Sequence, residues 1–490
     1  MNYLSKIALS LIILFVLSNC NYEFPTAPAP TSNPGDYDIQ NLAIIGSDMS
    51  AGLRDAALFN DGQNTSFSSL LANHITLENF NQFDINSTNG LNIFDFENTP
   101  SLSGKYELVF RNDSTPWVAQ SALEGSAITP YEGTLSDINN FSVPNLKSYQ
   151  LDDPTDLDEN VYFERLPINP GESLLDIALQ GSPSMIMLEM GISDIFEFAL
   201  NGASGEDNPN PATITNKDLT PTTVFESSID NAVTRMLNES SADILLFTIP
   251  DPLKLPYFTS LPWYFTVEEF SILAFNHLTF YSSFNIDVQN YNASTNDFTQ
   301  YRPVIAFDVL GGRTFKSKVI VDEYLIDATT EGGSVIPKYR QMTDDDLFLY
   351  NAEKLHYQSM QTTTAFGTTT PIADQYVITE SEIEVINERR SEFNQKIKDL
   401  AESSSRIYLV DLEKLIEDVN KGEVIYNGVT LTLDFDYKTI ISADGINFNA
   451  IGQALIANEI IKVLNQNFNS GILNIDINKF PGNSYSTSTN

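Results

Sequence analysis

Cationic residues are scarce in this chain. It sets 26 lysines and arginines against 65 aspartates and glutamates, a formal net charge of −39 over 490 residues. A surface of that sign repels nucleic acid and anionic lipid faces, so a nucleic-acid-binding role is discounted. Thiols are scarcer still: the single cysteine, Cys20, has no partner for a disulfide within the chain. Histidine occurs three times, as His74, His277 and His356, and each reads as a surface or packed side chain rather than a general base. The apolar run from Ile7 to Leu17 is too short to span a bilayer comfortably. What the chain does hold is 42% hydrophobic residues, enough for a sizeable core, and a rich aromatic set of 21 Tyr and 31 Phe.

The position of Cys20 is informative. Lys6 precedes the apolar run, and Leu17-Ser18-Asn19-Cys20 closes it. This reads as a signal peptide over residues 1–19 with a lipobox-like end, as in bacterial lipoproteins, which makes Cys20 the lipidated N-terminus and attaches the chain to a membrane by its anchor. The alternative is an ordinary secretory signal cut near Cys20; both readings export the chain. Residues 20–38 contain Pro25, Pro28, Pro30 and Pro34 and read as an extended tether. Glu23 fits the acidic signals that some outer-membrane lipoproteins use to reach the cell surface. Residues 39–482 form the expected folded body, and the tail over 483–490 is expected to be disordered.

Within the body, Leu42-Ala43-Ile44-Ile45 runs into Gly46, a polar turn, and an amphipathic segment ending at Leu70-Leu71-Ala72. The pattern predicts a buried strand, a glycine turn and a helix, a place where enzymes often display a nucleophile. Further buried strands are expected at Ser184–Met190, Ala242–Pro250 and Arg406–Leu412. Helical spacing marks Val224–Leu237, Glu380–Ser403 and Ala450–Asn465, and Asn427-Gly428 signals a hairpin turn. Strands alternating with helices imply an α/β fold, a three-layer sandwich around a mostly parallel sheet. Residues 75–140 and 260–340 lack a sustained period and read as insertions of loops and short strands, the second as a lid or a partner-facing surface. Leu151 to Asn160 clusters Asp152, Asp153, Asp156, Asp158 and Glu159 without EF-hand spacing, which favours a solvated acidic loop over a calcium site.

Four blocks in this frame resemble those of the SGNH/GDSL hydrolases. Gly46-Ser47-Asp48-Met49-Ser50-Ala51-Gly52 keeps the first block's frame, with Asp48 where the family has its nucleophilic serine. Phe141-Ser142-Val143-Pro144-Asn145 resembles the second block, with Asn145 in place of the glycine whose N–H serves the oxyanion hole. Gly191-Ile192-Ser193-Asp194 resembles the third, matching at Gly191 and Asp194, with Ser193 in place of the oxyanion-hole asparagine. Asp444-Gly445-Ile446-Asn447 resembles the last, keeping Asp444 but placing Asn447 where the general-base histidine belongs. The resemblance runs from Asn41 to about Phe480. Thr248-Ile249-Pro250-Asp251 with Leu255-Pro256-Tyr257-Phe258 is similar to the family's large lipoprotein branch.

The resemblance implies a hydrolase scaffold stripped of its chemistry. An amide at position 447 cannot accept a proton near neutral pH, and a carboxylate at position 48 repels a developing oxyanion. The expected function is therefore a pseudoenzyme with no cofactor or metal, an outer-membrane surface lipoprotein serving as a structural or binding subunit. The partner implied by the resemblance is an outer-membrane β-barrel, of the fatty-acid-transporter type or from barrel-assembly and lipoprotein-export machinery. Two other functions stand beside it: an esterase or lipase acting on lipid or acylated glycan, and a carbohydrate-binding surface protein. Other chemical readings are Ser47 or Ser50 as nucleophile, Asp48 as a covalent nucleophile, and Asp48 with Asp444 sharing a proton or a cation.

Overall fold

The computed structural model describes residues 35–487 except 37, 40, 78–79, 95–101, 111–118, 154–159, 267–268, 270–278, 308–314, 363–365 and 436–438. The expected signal peptide, Cys20 and nearly all of the expected tether lie outside the described residues, as do His277 and the acidic residues Asp156, Asp158 and Glu159.

In chain order the main elements are β1 (Leu42–Gly46), α1 (Asp48–Ala51), α2 (Phe67–His74), β2 (Ser103–Phe110), β3 (Ala119–Glu124), α3 (Leu174–Gln180), β4 (Met185–Glu189), α4 (Ile192–Leu200), α5 (Thr222–Glu239), β5 (Asp243–Phe247), α6 (Ser282–Ser294), α7 (Glu380–Ser403), β6 (Ile407–Val410), α8 (Ala450–Asn467) and β7 (Tyr485–Thr487). The central sheet is four-stranded in the order β1-β4-β5-β6, and every pairing is parallel. Every residue of β1 and β4 is buried, the mark of strands covered on both faces. Helices α2 and α8 pack together on one side; α3, α5 and α7 pack on the other. The chain is thus an α/β fold with a central parallel sheet between helical layers. Among the described residues no helix is long and apolar enough to cross a membrane.

Local chemistry sets the helix boundaries. The Asn449 side chain caps α8 by accepting from the Ile451 and Gly452 N–H groups. The Glu382 carboxylate folds back on α7 to accept from the Thr379 N–H at 2.6 Å. At the entry to the body, the Asp36 N–H donates to the Phe468 carbonyl at 2.7 Å, which pins the start of the chain to the end of α8.

Three features differ from the sequence expectations. The single helix expected after β1 is three short ones, because Gly52, Asp55 and Ala56 all take positive φ and break it; Asn60–Asn64 forms the middle piece. The tail expected to be disordered contains β7, which pairs in parallel with β2, so β7-β2-β3 makes a second sheet. Asp152, expected in a solvated acidic loop, is instead in an ion pair with Arg235 and accepts from Asn231 at 2.7 Å. The first insertion supplies the β2–β3 hairpin, and the second holds α6 and two small two-stranded ribbons.

Candidate functional site

The four blocks that carry the resemblance meet at the carboxyl edge of the central sheet, where ligands of open α/β sheets bind. β1 delivers Gly46, Ser47 and Asp48 there. Residues 139–143 run alongside β1, joined by the Phe141 N–H to the Ile44 carbonyl at 2.7 Å and the Val143 N–H to the Gly46 carbonyl at 3.0 Å. That alignment carries Asn145 to the start of α1. β4 ends in Glu189 and leads into Ser193 and Asp194. Asp444 and Asn447 arrive from the turn before α8.

The junctions are tightly built. A Cβ on Gly46 would lie 2.2 Å from the Ser50 Oγ and 2.8 Å from the Glu189 carbonyl, so only glycine fits at the end of β1. The buried Glu189 carboxyl accepts from the Ser50 Oγ at 2.8 Å, the Ser47 N–H at 3.1 Å and the Ser50 N–H at 3.3 Å. Burial pushes Glu189 up to about 7 despite these donors. Asp194 is fully buried and accepts from the Ser148 Oγ at 2.7 Å and the Ser148 N–H at 2.9 Å, which ties the third block to the second.

Asp48 and Asn145 form the centre. Asn145 holds a φ of +61°, a left-handed conformation natural to the glycine that the resemblance expects there. Its N–H donates to the Asp48 Oδ1 at 2.7 Å. The backbone donor that the resemblance assigns to an oxyanion is therefore occupied by the side chain standing in for the nucleophile. Burial pushes the Asp48 carboxyl up to about 8; the Asn145 N–H opposes this, while Glu197, Glu189 and Asp444 add to it.

Asp444 and Asn447 keep the contact expected of an aspartate and its histidine. The Asn447 Nδ2 donates to the Asp444 Oδ2 at 3.0 Å. Asp444 also accepts from the Ala56 N–H at 2.7 Å, and from the Ser442 Oγ, the Ile446 N–H and the Asn447 N–H, each at 2.8 Å. Five donors exhaust a carboxylate's lone pairs, so Asp444 has none left for a cation shared with Asp48. Among the described residues no group of three or more His, Cys, Asp or Glu side chains is placed to hold a metal ion.

The other sequence candidates divide clearly. Ser47 and Ser50 are completely buried and bound to Glu189, so neither hydroxyl faces a substrate. Ser193 is 1% exposed, and its Oγ has no hydrogen-bond partner among the described residues. His74 and His356 lie elsewhere. The His74 ring nitrogen is 2.6 Å from the Leu473 carbonyl, and His356 is buried against Phe265 and Phe348.

Two carboxyls escaped the sequence reading. Glu189 is the last residue of an apolar strand, and Glu197 lies inside the run Ile195–Leu200. A single charge interrupting a buried pattern was the available signal. Glu197 lines a cleft of about 690 Å³, with Asn145 and the buried Asp444 also in its walls. The walls of the cleft come largely from outside the four blocks: Phe94, Tyr106 and Gln120 from the first insertion, Tyr257 from the loop after β5, and Asn351 and Lys354 from beyond the second insertion. Burial raises the Glu197 carboxyl from its ordinary value, with the Lys147 charge opposing.

No protein-family model matches the chain, and no curated protein matches it in sequence.

Proposed function

We propose that this chain is an outer-membrane surface lipoprotein built on an SGNH/GDSL-like scaffold that no longer hydrolyses esters. It serves as a structural or binding subunit of an outer-membrane β-barrel complex. The observation that carries the non-catalytic part is the Asp48–Asn145 contact. Acyl transfer needs a nucleophile, a base and free N–H donors aimed at the oxyanion. Here an acid occupies the first place, an amide the second, and a 2.7 Å hydrogen bond uses up a donor of the third. The partner reading rests on the lipoprotein-branch resemblance. The second insertion supports it: Phe298 and Val335 are 79% and 77% exposed there, and Ile286 and Phe280 are also exposed. Large apolar side chains in water commonly mark a contact surface.

Two measurements test this reading. Hydrolysis of short- and long-chain aryl esters by the wild type, abolished by Asp48→Ala, would overturn the non-catalytic assignment; the expected result is equal, background rates for both. Mild-detergent extraction and tag purification is expected to bring down a β-barrel protein. A chain that elutes alone and monomeric from such extracts rules out the subunit role.

A further inference from the structure

The cleft above the carboxyl edge has a composition that the degenerate blocks do not explain. Three rings in its lining adjoin one another. Phe94 lies between Tyr106, at 6.4 Å and 12° between planes, and Tyr257, at 6.3 Å and 23°. Phe94 is 40% exposed, unusual for an aromatic ring already stacked on two others. The same cleft is lined by polar groups with capacity to spare. The Asn145 side-chain amide and the Glu197 carboxyl have no hydrogen-bond partner among the described residues. Asn201 uses only its Nδ2, on the Glu197 carbonyl at 2.7 Å, and Gln120 only its Nε2, on the Ala443 carbonyl at 2.7 Å. Each keeps a carbonyl oxygen to accept with.

The charge at this place sets it apart from the rest of the molecule. On a chain of net charge −39, the cleft carries Lys217 and Lys354 beside Glu197, Asp444 and Glu353. Asp444 is saturated by its own loop and by Ala56. The walls are close to electrically balanced, so a phosphate or an anionic lipid finds no cationic clamp. An acyl chain would bury the unpaired amide and carboxyl without replacing their hydrogen bonds with water. The ligand that suits one exposed ring together with unpaired amide and carboxyl groups is uncharged, with apolar faces and a rim of hydroxyls.

We propose that the cleft binds a neutral saccharide, with a pyranose ring packed against the exposed part of Phe94 and its hydroxyls hydrogen-bonded to Asn145, Glu197 and Asn201. This deepens the reading of the chain as a non-catalytic binding protein and rests on it only for the ligand leaving unchanged. The volume of about 690 Å³ falls inside the range of small-ligand clefts, roughly 300–1,000 Å³, and favours a short oligosaccharide segment.

The test is titration calorimetry of the full chain in detergent against maltohexaose, cellohexaose, xylohexaose and mannohexaose, each up to about 10 mM. At least one is expected to bind, with an affinity unchanged between about 50 and 500 mM NaCl. Phe94→Ala is expected to weaken that binding at least about tenfold. Asn145→Gly, which suits the positive φ and removes only the amide, is expected to weaken it about fivefold or more. Tyr324→Ala, an exposed aromatic outside the cleft, should leave it unchanged. Melting curves confirm that each variant is folded. Failure of all four sugars to bind overturns the proposal, as does wild-type affinity in both cleft variants. Cleavage or deacylation of a bound sugar would overturn the non-catalytic reading instead and leave the cleft assignment standing.

Discussion

At the scale of single residues, the site is governed by buried carboxyls. Asp48 has an ordinary value near 3.8 and is held at about 8. Between those limits the folded state keeps a proton that the unfolded state has lost. Stability therefore falls as pH rises from about 4 to about 8 and levels off above. Asp48→Asn retains an acceptor for the Asn145 N–H and removes the titration. Urea unfolding at pH 5 and pH 8 should show the variant gaining on wild type with pH, by at least about 1 kcal/mol at the upper end. An unchanged difference at the two pH values would contradict the assignment. Asn145 gives a second prediction. Its φ of +61° costs a β-branched residue heavily, so Asn145→Val should lose about 1–3 kcal/mol, while Asn145→Gly should stay within about 0.5 kcal/mol of wild type, both read from denaturant midpoints. The residue types at positions 48, 145, 193 and 447 were legible in the sequence, and their convergence follows from the strand order. The closure of the Asp48–Asn145 contact across 97 positions was not, because sequence spacing does not report which N–H a carboxyl will meet.

At the scale of elements, apolar patterning located what it governs. Strands β1 and β4 are continuous buried runs, β5 is buried after its first residue and β6 at its two ends, and α7 spans the Glu380–Ser403 range that its apolar stripe marks. The Asn427-Gly428 turn joins two short paired strands, with both residues at positive φ. The three-stranded sheet of β7, β2 and β3 lies where patterning is weak. These strands are largely half exposed or exposed, and they mix Ser, Gln, Glu and Lys with apolar residues, so alternation carries little signal. β7 is fixed by long-range contacts instead. The Leu108 N–H donates to the Ser484 carbonyl at 3.1 Å, and the Asn483 Nδ2 donates to the Ile441 carbonyl at 2.9 Å. Deleting the chain after Gly482 should cost about 1–3 kcal/mol and raise amide exchange in β2 while leaving that of α8 unchanged. Equal exchange in β2 with and without the tail would show that this strand contributes nothing.

At the scale of the whole molecule, 65 acidic against 26 basic side chains make self-repulsion a general destabilising load. Raising NaCl from about 10 mM to 150 mM shortens the screening length from roughly 30 Å to 8 Å and should raise the melting temperature. A fall in melting temperature over that range would show that attractive pairs outweigh the repulsion.

The attachment of Asp36 to Phe468 has a consequence for orientation. α8 begins beside the Asp444 turn and ends, 18 residues later, where the chain enters the body. At about 1.5 Å per residue, its two ends are some 27 Å apart. On the proposed lipoprotein reading, a lipid at Cys20 would pull on the body from this end, the one opposite the Asp444 turn and the cleft. Tension on the anchor would then be borne by the end of α8 and not by the walls of the cleft.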